Sequence, residues 1–428
     1  MSFETATLES LCELVVDCPH STPKWTNEGI IVLRNQNIKN GVLDLSAPSF
    51  TNEEDYLKRI KRAAPKAGDI VFTREAPMGE VCMIPEGVKC CLGQRQVLLR
   101  PKSDVNGKYL FWALQSPYVQ QQIAWNEGTG STVSNVRIPV LKALNIPRID
   151  NEDMVAKSLS DIASKMALNT QTNQTLEQMA QAIFKSWFVD FDPVKAKMNG
   201  EQPEGMDAAT ASLFPEKLVE SELGLIPEGW KVSSLSELIK LTGGGTPKRS
   251  EETYWNGDIP WFSVKDVPSG SNVFVVDTDE KITELGLNKS STKLLPKGTT
   301  IITARGTVGK LALVGTDMCM NQSCYGIRGI EVGDYYNYFN LKEAVSTLQR
   351  NTHGAVFDTI TTKTFDTYSM AFSGTELANK FDALVAPILQ KIEVNVRQNI
   401  ELAKLRDTLL PKLLSGEIEL KPQEVKGE

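Results

Sequence analysis

Histidine, paired cysteines and long apolar runs are scarce in this sequence, and each shortage argues against a class of protein. Two histidines, His20 and His353, leave little material for a serine–histidine–aspartate site or a zinc cluster. The seven cysteines include no CxxC pair, so we expect buried free thiols. No apolar run approaches the roughly 20 residues that span a bilayer. The start, MSFETATLES, lacks a secretory signal, and we expect a cytoplasmic protein with no membrane partner.

Catalytic motifs are lacking as well. In GTVGKL (306–311), Leu311 stands where a phosphate loop needs Ser or Thr. No run such as NPPF or DPPY marks an amino-methyltransferase. The run TGGGTPKR (242–249) sets three glycines beside Lys248 and Arg249, either to bring N–H groups near a phosphate or to make a plain tight turn. We therefore expect no catalytic residues, no metal and no cofactor bound by this chain.

Charge is distributed unevenly along the chain. The formal net charge of -7 argues weakly against a nucleic-acid partner. Residues 190–228 hold nine acids against three lysines, whereas 281–310 hold six basic residues against one acid, and 56–66 hold five with none. Local basic surfaces can bind phosphate even on an acidic protein. The alternative is an ordinary solvated face.

The chain consists of two similar halves. ELVVDCPHSTPK (13–24) recurs as ELIKLTGGGTPK (237–248), and PKAGDIVFTREAPMG (65–79) recurs as PKGTTIITARGTVG (296–309). The matches keep their order and nearly constant spacing, which indicates a duplicated domain. Short runs such as DIVF and TIIT predict strands. Longer segments such as YYNYFNLKEAVSTLQ predict helices, so each copy is predicted to mix α and β structure.

Each copy ends in a predicted long helix with apolar residues at heptad spacing, the pattern of a coiled coil. The first helix carries the two rows Val155, Ile162, Asn169, Leu176, Ile183 and Leu159, Met166, Asn173, Ala180, Trp187. A shift of 226 residues gives the rows Phe381, Ile388, Asn395, Leu402, Leu409 and Val385, Ile392, Asn399, Arg406, Leu413.

Two asparagines of one helix, Asn169 and Asn173, fall on Asn395 and Asn399 of the other. A buried asparagine costs stability unless it is hydrogen-bonded, and a polar residue in the seam can fix register and partner choice. We predict that the four meet across an antiparallel helix pair. A helix of roughly 34 residues spans roughly 50 Å, so the pair would hold the two copies apart. The alternative is two unrelated amphipathic helices, each packed on its own domain.

The apolar surface of these helices is wider than a two-helix seam needs. Phe184 and Phe188 lie off the heptad rows, and Leu410 and Leu414 occupy the same places in the second helix. Extra apolar width favours docking of another protein. With Trp187, these residues form the predicted subunit interface. The alternative is contact with the protein's own domains.

The predicted fold class is therefore α+β, with two duplicated mixed α/β domains separated by a long antiparallel coiled coil of two helices. The predicted boundaries are a first domain at 1–154, a central helix at 155–189, an acidic linker at 190–230, a second domain at 231–378, a distal helix at 379–416 and a tail at 417–428.

Four segments together point to a known family. They are LEQMAQAIFKSWFVDFDP (176–193), LAKLRDTLLPKLLSGEI (402–418), IPEGWKVSSLSELIKLTGGGTPKRSEETYWNGDIPWFSVKDV (226–267) and GTGSTVSNVRIPVLKALNIP (128–147). With them the chain resembles the specificity subunit of Type I restriction–modification enzymes over nearly its whole length. In the second copy HGAVFDTITTKTF (353–365) departs from the pattern of GTGSTVSNVRIPV.

The resemblance implies a non-catalytic DNA-recognition subunit. Each repeat would be a target recognition domain that reads one half of a split, asymmetric double-stranded DNA target. The paired helices would dock two methylation subunits, which would carry S-adenosylmethionine and methylate adenine, and restriction subunits would join them. The rival hypothesis is a coiled-coil scaffold with two protein-binding modules, while an enzyme with an unrecognised site is poorly supported.

Candidate DNA contacts follow from side-chain chemistry, because Arg and Lys suit guanine and phosphate, and Gln and Asn suit adenine. The candidates are Arg74 with Arg305, Gln94 with Gln322 and Lys24 with Lys248, together with Thr246, Arg249 and Lys310. Positions that match in both copies are expected to touch the DNA backbone or support the fold, since two half-sites normally differ. Base readers are expected in the dissimilar loops. For Arg74 and Arg305 the alternative is a structural salt bridge.

Overall fold

The computed structural model describes residues 4–125, 135–351 and 359–420. It divides into two compact units, Met1–Lys165 with Glu401–Glu428, and Met166–Ile400. Each of the two long helices contributes residues to both units. Among the described residues, no helix is long and apolar enough to cross a membrane.

The first repeat is built from short strands and helices that lead into a long helix. In chain order they are β1 (Glu4–Thr7), α1 (Leu8–Leu11), β2 (Cys12–Asp17), β3 (Trp25–Thr26), β4 (Ile30–Leu33), β5 (Ile38–Lys39), β6 (Val42–Leu43), β7 (Ser49–Thr51), α2 (Glu53–Arg59), β8 (Ile70–Thr73), β9 (Val81–Met83), β10 (Cys90–Leu92), β11 (Gln96–Pro101), α3 (Gly107–Leu114), α4 (Pro117–Trp125), α5 (Ile138–Lys142), β12 (Asn145–Arg148) and α6 (Glu152–Phe188).

The central sheet of this repeat has the strand order β2-β11-β8-β9, and all of its neighbours are antiparallel. A second sheet has the order β10-β4-β7-β3, in which β10 and β4 run parallel. The four residues of β8 are all buried because the sheet is covered on both faces. Apolar side chains of β8 and β11 pack with α3 in one core cluster and with Cys82 and Cys90 in another.

The rest of the chain continues with a folded segment and then the second repeat. In chain order the elements are α7 (Asp192–Met198), α8 (Ala208–Ser212), β13 (Leu218–Ser221), β14 (Gly224–Pro227), β15 (Lys231–Ser234), α9 (Leu235–Leu238), β16 (Ile239–Gly243), β17 (Trp255–Phe262), β18 (Phe274–Val275), β19 (Lys281–Ile282), α10 (Glu284–Asn288), β20 (Thr300–Thr303), β21 (Leu311–Val314), β22 (Cys319–Met320), β23 (Cys324–Gly329), α11 (Asp334–Asn351), α12 (Thr362–Thr367), β24 (Ser369–Phe372) and α13 (Thr375–Leu414).

The second repeat reproduces the topology of the first. Its main sheet has the order β16-β23-β20-β21-β18, so its first four strands match β2-β11-β8-β9. The parallel pair β17 and β22 matches β4 and β10, and the antiparallel pair β15 and β24 matches β1 and β12. The predicted duplication and the mixed α/β class are confirmed.

The structure corrects one detail of the repeat alignment. The sequence match aligned Leu14 with Leu238, but Leu14 lies in a strand and Leu238 closes the short helix α9. The equivalent helix α1 ends at Leu11, which is buried as Leu238 is. Matching identical residues at a fixed spacing therefore placed the two repeats three residues out of alignment at this point.

The two long helices pack against each other in antiparallel fashion. In the second unit Asn169 contacts Asn399, whereas Phe184, further along α6, contacts Phe381, near the start of α13. In the first unit Leu159 and Leu410 share one core cluster. None of the twenty residues on the predicted heptad rows is exposed, which explains why the period of seven extends along both helices.

The asparagines lie in this seam and are hydrogen-bonded across it. The Nδ2 of Asn395 donates to the Oδ1 of Asn173 at 2.8 Å, and the Nδ2 of Asn169 donates to the Oδ1 of Asn399 at 2.8 Å. Asn169 also donates to the Oε1 of Gln398, and Asn399 donates to the carbonyl oxygen of Met166. Three of the four asparagines, all but Asn399, are buried. These bonds offset most of the desolvation of their amides, while the Oδ1 of Asn395 is buried without a hydrogen-bond partner among the described residues.

The additional apolar side chains of the two helices pack within the chain itself. Phe184, Trp187 and Phe188 are buried in an aromatic cluster with Phe381 and Tyr336. The side chains of Leu410 and Leu414 are likewise buried, in the core of the first unit. The expectation that these five residues form an open docking face is therefore corrected: contact with the protein's own domains accounts for them.

The acidic segment 190–230 is folded rather than extended. It contains α7, α8 and the β13–β14 hairpin. Phe214, Ile226 and Trp230 anchor it to the same aromatic cluster, and Trp187 meets Phe214 edge to face with ring centroids 5.3 Å apart. Its acids therefore lie on the surface of a small structured element.

All seven cysteines are buried free thiols. Burial raises the pKa of Cys82 and Cys90 to about 12, which disfavours the reactive thiolate. Among the described residues, no group of three or more His, Cys, Asp or Glu is placed to hold a metal ion.

We predict that Phe184→Ala lowers the unfolding free energy by about 3–5 kcal/mol, because it leaves a cavity among aromatic rings. Leu168→Ala is the matched control, since Leu168 lies on the same helix and is 56% exposed; its effect should stay within about 0.5 kcal/mol. Denaturant unfolding followed by circular dichroism measures both. An unchanged stability of Phe184→Ala would show that the aromatic cluster does not hold the helix in place.

Candidate nucleic-acid interface

The polar loops of the first repeat meet at one end of its central sheet. Strands β2 and β8 end there and β11 and β9 begin there, because neighbouring strands are antiparallel. The loops 18–24, 74–80 and 93–95 therefore lie together. The Arg74 N–H donates to the Arg95 carbonyl oxygen at 2.8 Å, and Gln94 Nε2 donates to the His20 carbonyl oxygen at 2.8 Å. We call these three loops the first loop end.

The second repeat has an equivalent end, formed by the loops 244–254, 304–310 and 321–323. The Ala304 N–H donates to the Ser323 carbonyl oxygen at 2.8 Å, and the hydroxyl of Thr246 donates to Gln322. We call these loops the second loop end. The structure thus brings all nine predicted DNA contacts to the two loop ends: Lys24, Arg74 and Gln94 to the first, and Thr246, Lys248, Arg249, Arg305, Lys310 and Gln322 to the second.

Arg74 is a structural residue, which corrects its assignment as a DNA contact. Its guanidinium binds both carboxylate oxygens of Asp17, at 3.0 and 3.1 Å, and donates to the Val136 carbonyl oxygen at 2.9 Å. Only 14% of its side chain is exposed. The salt-bridge alternative therefore holds for this residue.

The pairing of Arg74 with Arg305 is also wrong by one residue. The Arg74 carbonyl oxygen accepts the N–H of Val136, and the Ala304 carbonyl oxygen accepts the N–H of Ile360 in the same way. Arg74 therefore corresponds to Ala304, and Glu75 to Arg305. The same two bonds show that Val136 and Ile360, within the divergent segments 128–140 and 353–365, lie at equivalent places, whereas 128–134 and 353–358 lie outside the described residues.

Arg305 and Lys310 remain exposed in the second loop end. No carboxylate of the described residues lies within ion-pair distance of either side chain. Lys248, by contrast, pairs with Glu251 at 3.1 Å across exposed surface, an interaction that is worth little in water. In the first repeat Lys24 is exposed, while its backbone is held by Asp55 and Thr51.

The glycine-rich run 242–249 is a packed turn and not a phosphate nest. The N–H groups of Gly244 and Gly245 already donate to the carbonyl oxygens of Cys324 and Met320. A Cβ at Gly244 would lie 1.8 Å from the Asn321 carbonyl oxygen, so glycine is required for the close approach. The tight-turn alternative describes this segment.

Arg249 is neutralised by a carboxylate. Its guanidinium binds both oxygens of Glu280 and lies over the ring of Trp255, 3.9 Å from the centroid, and over that of Trp261 at 5.0 Å. The hydrogen bond from Arg249 lowers the pKa of Glu280, and the same bond raises the pKa of Arg249. Both charges are therefore held in one exposed pair.

Sequence reasoning missed a pocket of about 400 Å³ at the first loop end. It is lined by Pro23, Trp25, Arg34, Asn35, Gln36, Ala76, Gly93, Gln94 and Arg95. Trp25, in the short strand β3, is 49% exposed, although tryptophan is highly buried on average. A signal was present, because a tryptophan follows the Thr-Pro-Lys segment in both repeats. The basic run 56–66, in contrast, includes Arg59, whose buried side chain binds the Leu92 carbonyl oxygen.

A family model described as "Type I restriction modification DNA specificity domain" matches residues 2–178 and 227–372, that is, both repeats. The chain belongs to this family. The predicted resemblance is confirmed, and with it the class of a DNA-recognition subunit rather than a catalytic one. The scaffold alternative is not favoured.

Curated relatives extend over most of the chain. The Type I restriction enzyme HindI specificity subunit of Haemophilus influenzae is 28% identical over 86% of this chain and 90% of its own length. The MjaIX specificity subunit of Methanocaldococcus jannaschii is 27% identical over 83% of this chain and 79% of its own length. A crystal structure of a Type-I restriction-modification S subunit from M. genitalium shares the fold, with a TM-score of 0.56, 17% identity and coverage of 98% and 97%.

We predict that Arg74→Ala lowers the unfolding free energy by about 1–3 kcal/mol, because it removes the guanidinium that binds both oxygens of Asp17 and the Val136 carbonyl oxygen. Arg305→Ala is the control and should change stability by less than about 0.5 kcal/mol, since Arg305 is exposed. Thermal unfolding of the two variants measures this. Equal stability of both would contradict the structural role of Arg74.

Proposed function

We propose that each loop end reads one half of a split, asymmetric target in double-stranded DNA. The proposal rests on one sheet topology, used twice, that gathers exposed amide and basic side chains beside a tryptophan at the same end in both repeats. Amide and guanidinium groups match the hydrogen-bonding edges of adenine and guanine. The loops differ between repeats while the strands agree, as two dissimilar half-sites require.

The second loop end has unpaired basic charge for phosphates. Arg305 and Lys310 follow β20 and precede β21 without an ion pair among the described residues. Lys289 and Lys293 are exposed in a segment that touches the glycine-rich turn, because a Cβ at Gly245 would meet Ser291. Together these residues supply a local positive surface on a chain of net charge -7.

The partners proposed are two methylation subunits that dock on the helix pair, and restriction subunits beyond them. S-adenosylmethionine belongs to the methylation subunits, and the complex works in the cytoplasm on DNA. Phe184, Trp187, Phe188, Leu410 and Leu414 are buried, so in this proposal they shape the docking surface from beneath. Asn169, Asn173, Asn395 and Asn399 set the register of the helices that carry it.

We predict that the DNA affinity of the full chain falls steeply with salt, with a slope of log K against log salt of about -0.9 for each phosphate contacted. Arg305→Ala should weaken binding to all sequences alike and reduce the slope by about 1. Lys391→Ala, in an exposed position on α13, is the control for loss of one positive charge.

Fluorescence anisotropy with a labelled duplex at several salt concentrations measures both variants. Affinity that does not depend on salt would sink the proposal that the chain binds DNA. An Arg305→Ala slope equal to that of Lys391→Ala would remove Arg305 from the interface while leaving DNA binding itself intact.

A further inference from the structure

We propose that Arg34 reads a guanine in the half-site of the first repeat; this inference rests on the proposed function. Arg34 follows β4 and opens the segment 34–36, which lines the pocket at the first loop end. The Gly93 N–H donates to the Leu33 carbonyl oxygen at 2.8 Å, so Arg34 begins beside the loop that carries Gln94. Arg34 thus projects from a fixed strand end among candidate DNA contacts.

The guanidinium of Arg34 is oriented by a neighbouring ring but makes no ion pair among the described residues. It lies over the exposed ring of Trp25, 5.4 Å from the centroid, which limits the positions of a long side chain. No carboxylate of the described residues lies within ion-pair distance of it. The neighbouring arginines differ, because Arg95 pairs with Glu75 at 3.0 Å and Arg74 with Asp17 at 3.0 Å. Of these three arginines, only Arg34 has N–H groups that are not bound by a carboxylate of the described residues.

An open guanidinium fork at a DNA-facing edge matches one base in particular. Guanine presents the acceptors O6 and N7 side by side in the major groove, and arginine binds the two at once. A lysine would keep the charge but lose this two-point geometry. The exposed amides of Gln36 and Gln94 border the same pocket and suit adenine.

The second repeat supports the assignment by contrast. Trp25 pairs with Thr51 across β3 and β7, and Trp255 pairs with Ile282 across β17 and β19, so the two tryptophans are equivalent. Arg249 lies over Trp255, but it comes from the preceding loop, and its two terminal NH2 groups both donate to the carboxylate of Glu280. An arginine therefore lies over the equivalent tryptophan in each repeat. It has no carboxylate partner among the described residues in the first repeat and is paired with Glu280 in the second.

The test is enrichment of bound duplexes from a random library, with the full chain purified from its host together with the subunits that accompany it. The wild type should select a two-part motif with a guanine at one fixed position. Arg34→Lys and Arg34→Ala should lose about 5- to 150-fold of the preference for that guanine and keep every other position. The salt slope of Arg34→Lys should equal that of the wild type, because its charge is retained.

Arg249→Lys is the matched control, since it changes an arginine stacked on the equivalent tryptophan and should leave the guanine position unchanged. An intact motif in Arg34→Lys would overturn the inference. So would uniform weakening over all sequences with a folded variant, because that result describes a phosphate contact. If the wild type binds duplexes but selects no motif, the proposed function itself fails, and the two failures are thereby distinguished.

Discussion

Amide pairing between the two long helices is the constraint on which the second unit depends. Asn395 bonds to Asn173 and Asn169 bonds to Asn399 inside an otherwise apolar seam. A slip of the helices by one residue would bury these amides without partners, at roughly 1–3 kcal/mol for each group. The two helices also hold the second repeat in place, because Asn173 donates to Asn272 and Glu393 binds Lys297. Register of the helices and placement of the recognition repeat are therefore coupled.

In each repeat the strands of the sheet support the fold, and the loops at one end of the sheet are the proposed recognition elements. The backbone bond from Arg74 to Arg95 in the first repeat recurs from Ala304 to Ser323 in the second, with different side chains on the same frame. Loops can change at the end of such a sheet without disturbing the strands that hold them. A protein that must recognise two unlike half-sites can thus use one architecture twice.

The repeats and the heptad rows could be predicted because periodicity is local information, and the rows came out buried or half-buried throughout. Pairings formed between distant segments could not. Whether Arg74 is free depends on Asp17, 57 residues away. The burial of Phe184 depends on Phe381 and Tyr336 from far along the chain. The acidity of 190–230 indicated a linker. Its three apolar anchors, Phe214, Ile226 and Trp230, are dispersed along the segment and form no periodic pattern that would predict a folded element.

Recognition between the asparagines across the seam can be measured by a double-mutant cycle on Asn173 and Asn395. Their amides are joined at 2.8 Å. From the unfolding free energies of Asn173→Ala, Asn395→Ala and the double variant, we expect a favourable coupling energy of about 0.5–3 kcal/mol. Single effects that add to within about 0.3 kcal/mol would show that the two asparagines act independently and do not set the register of the helices.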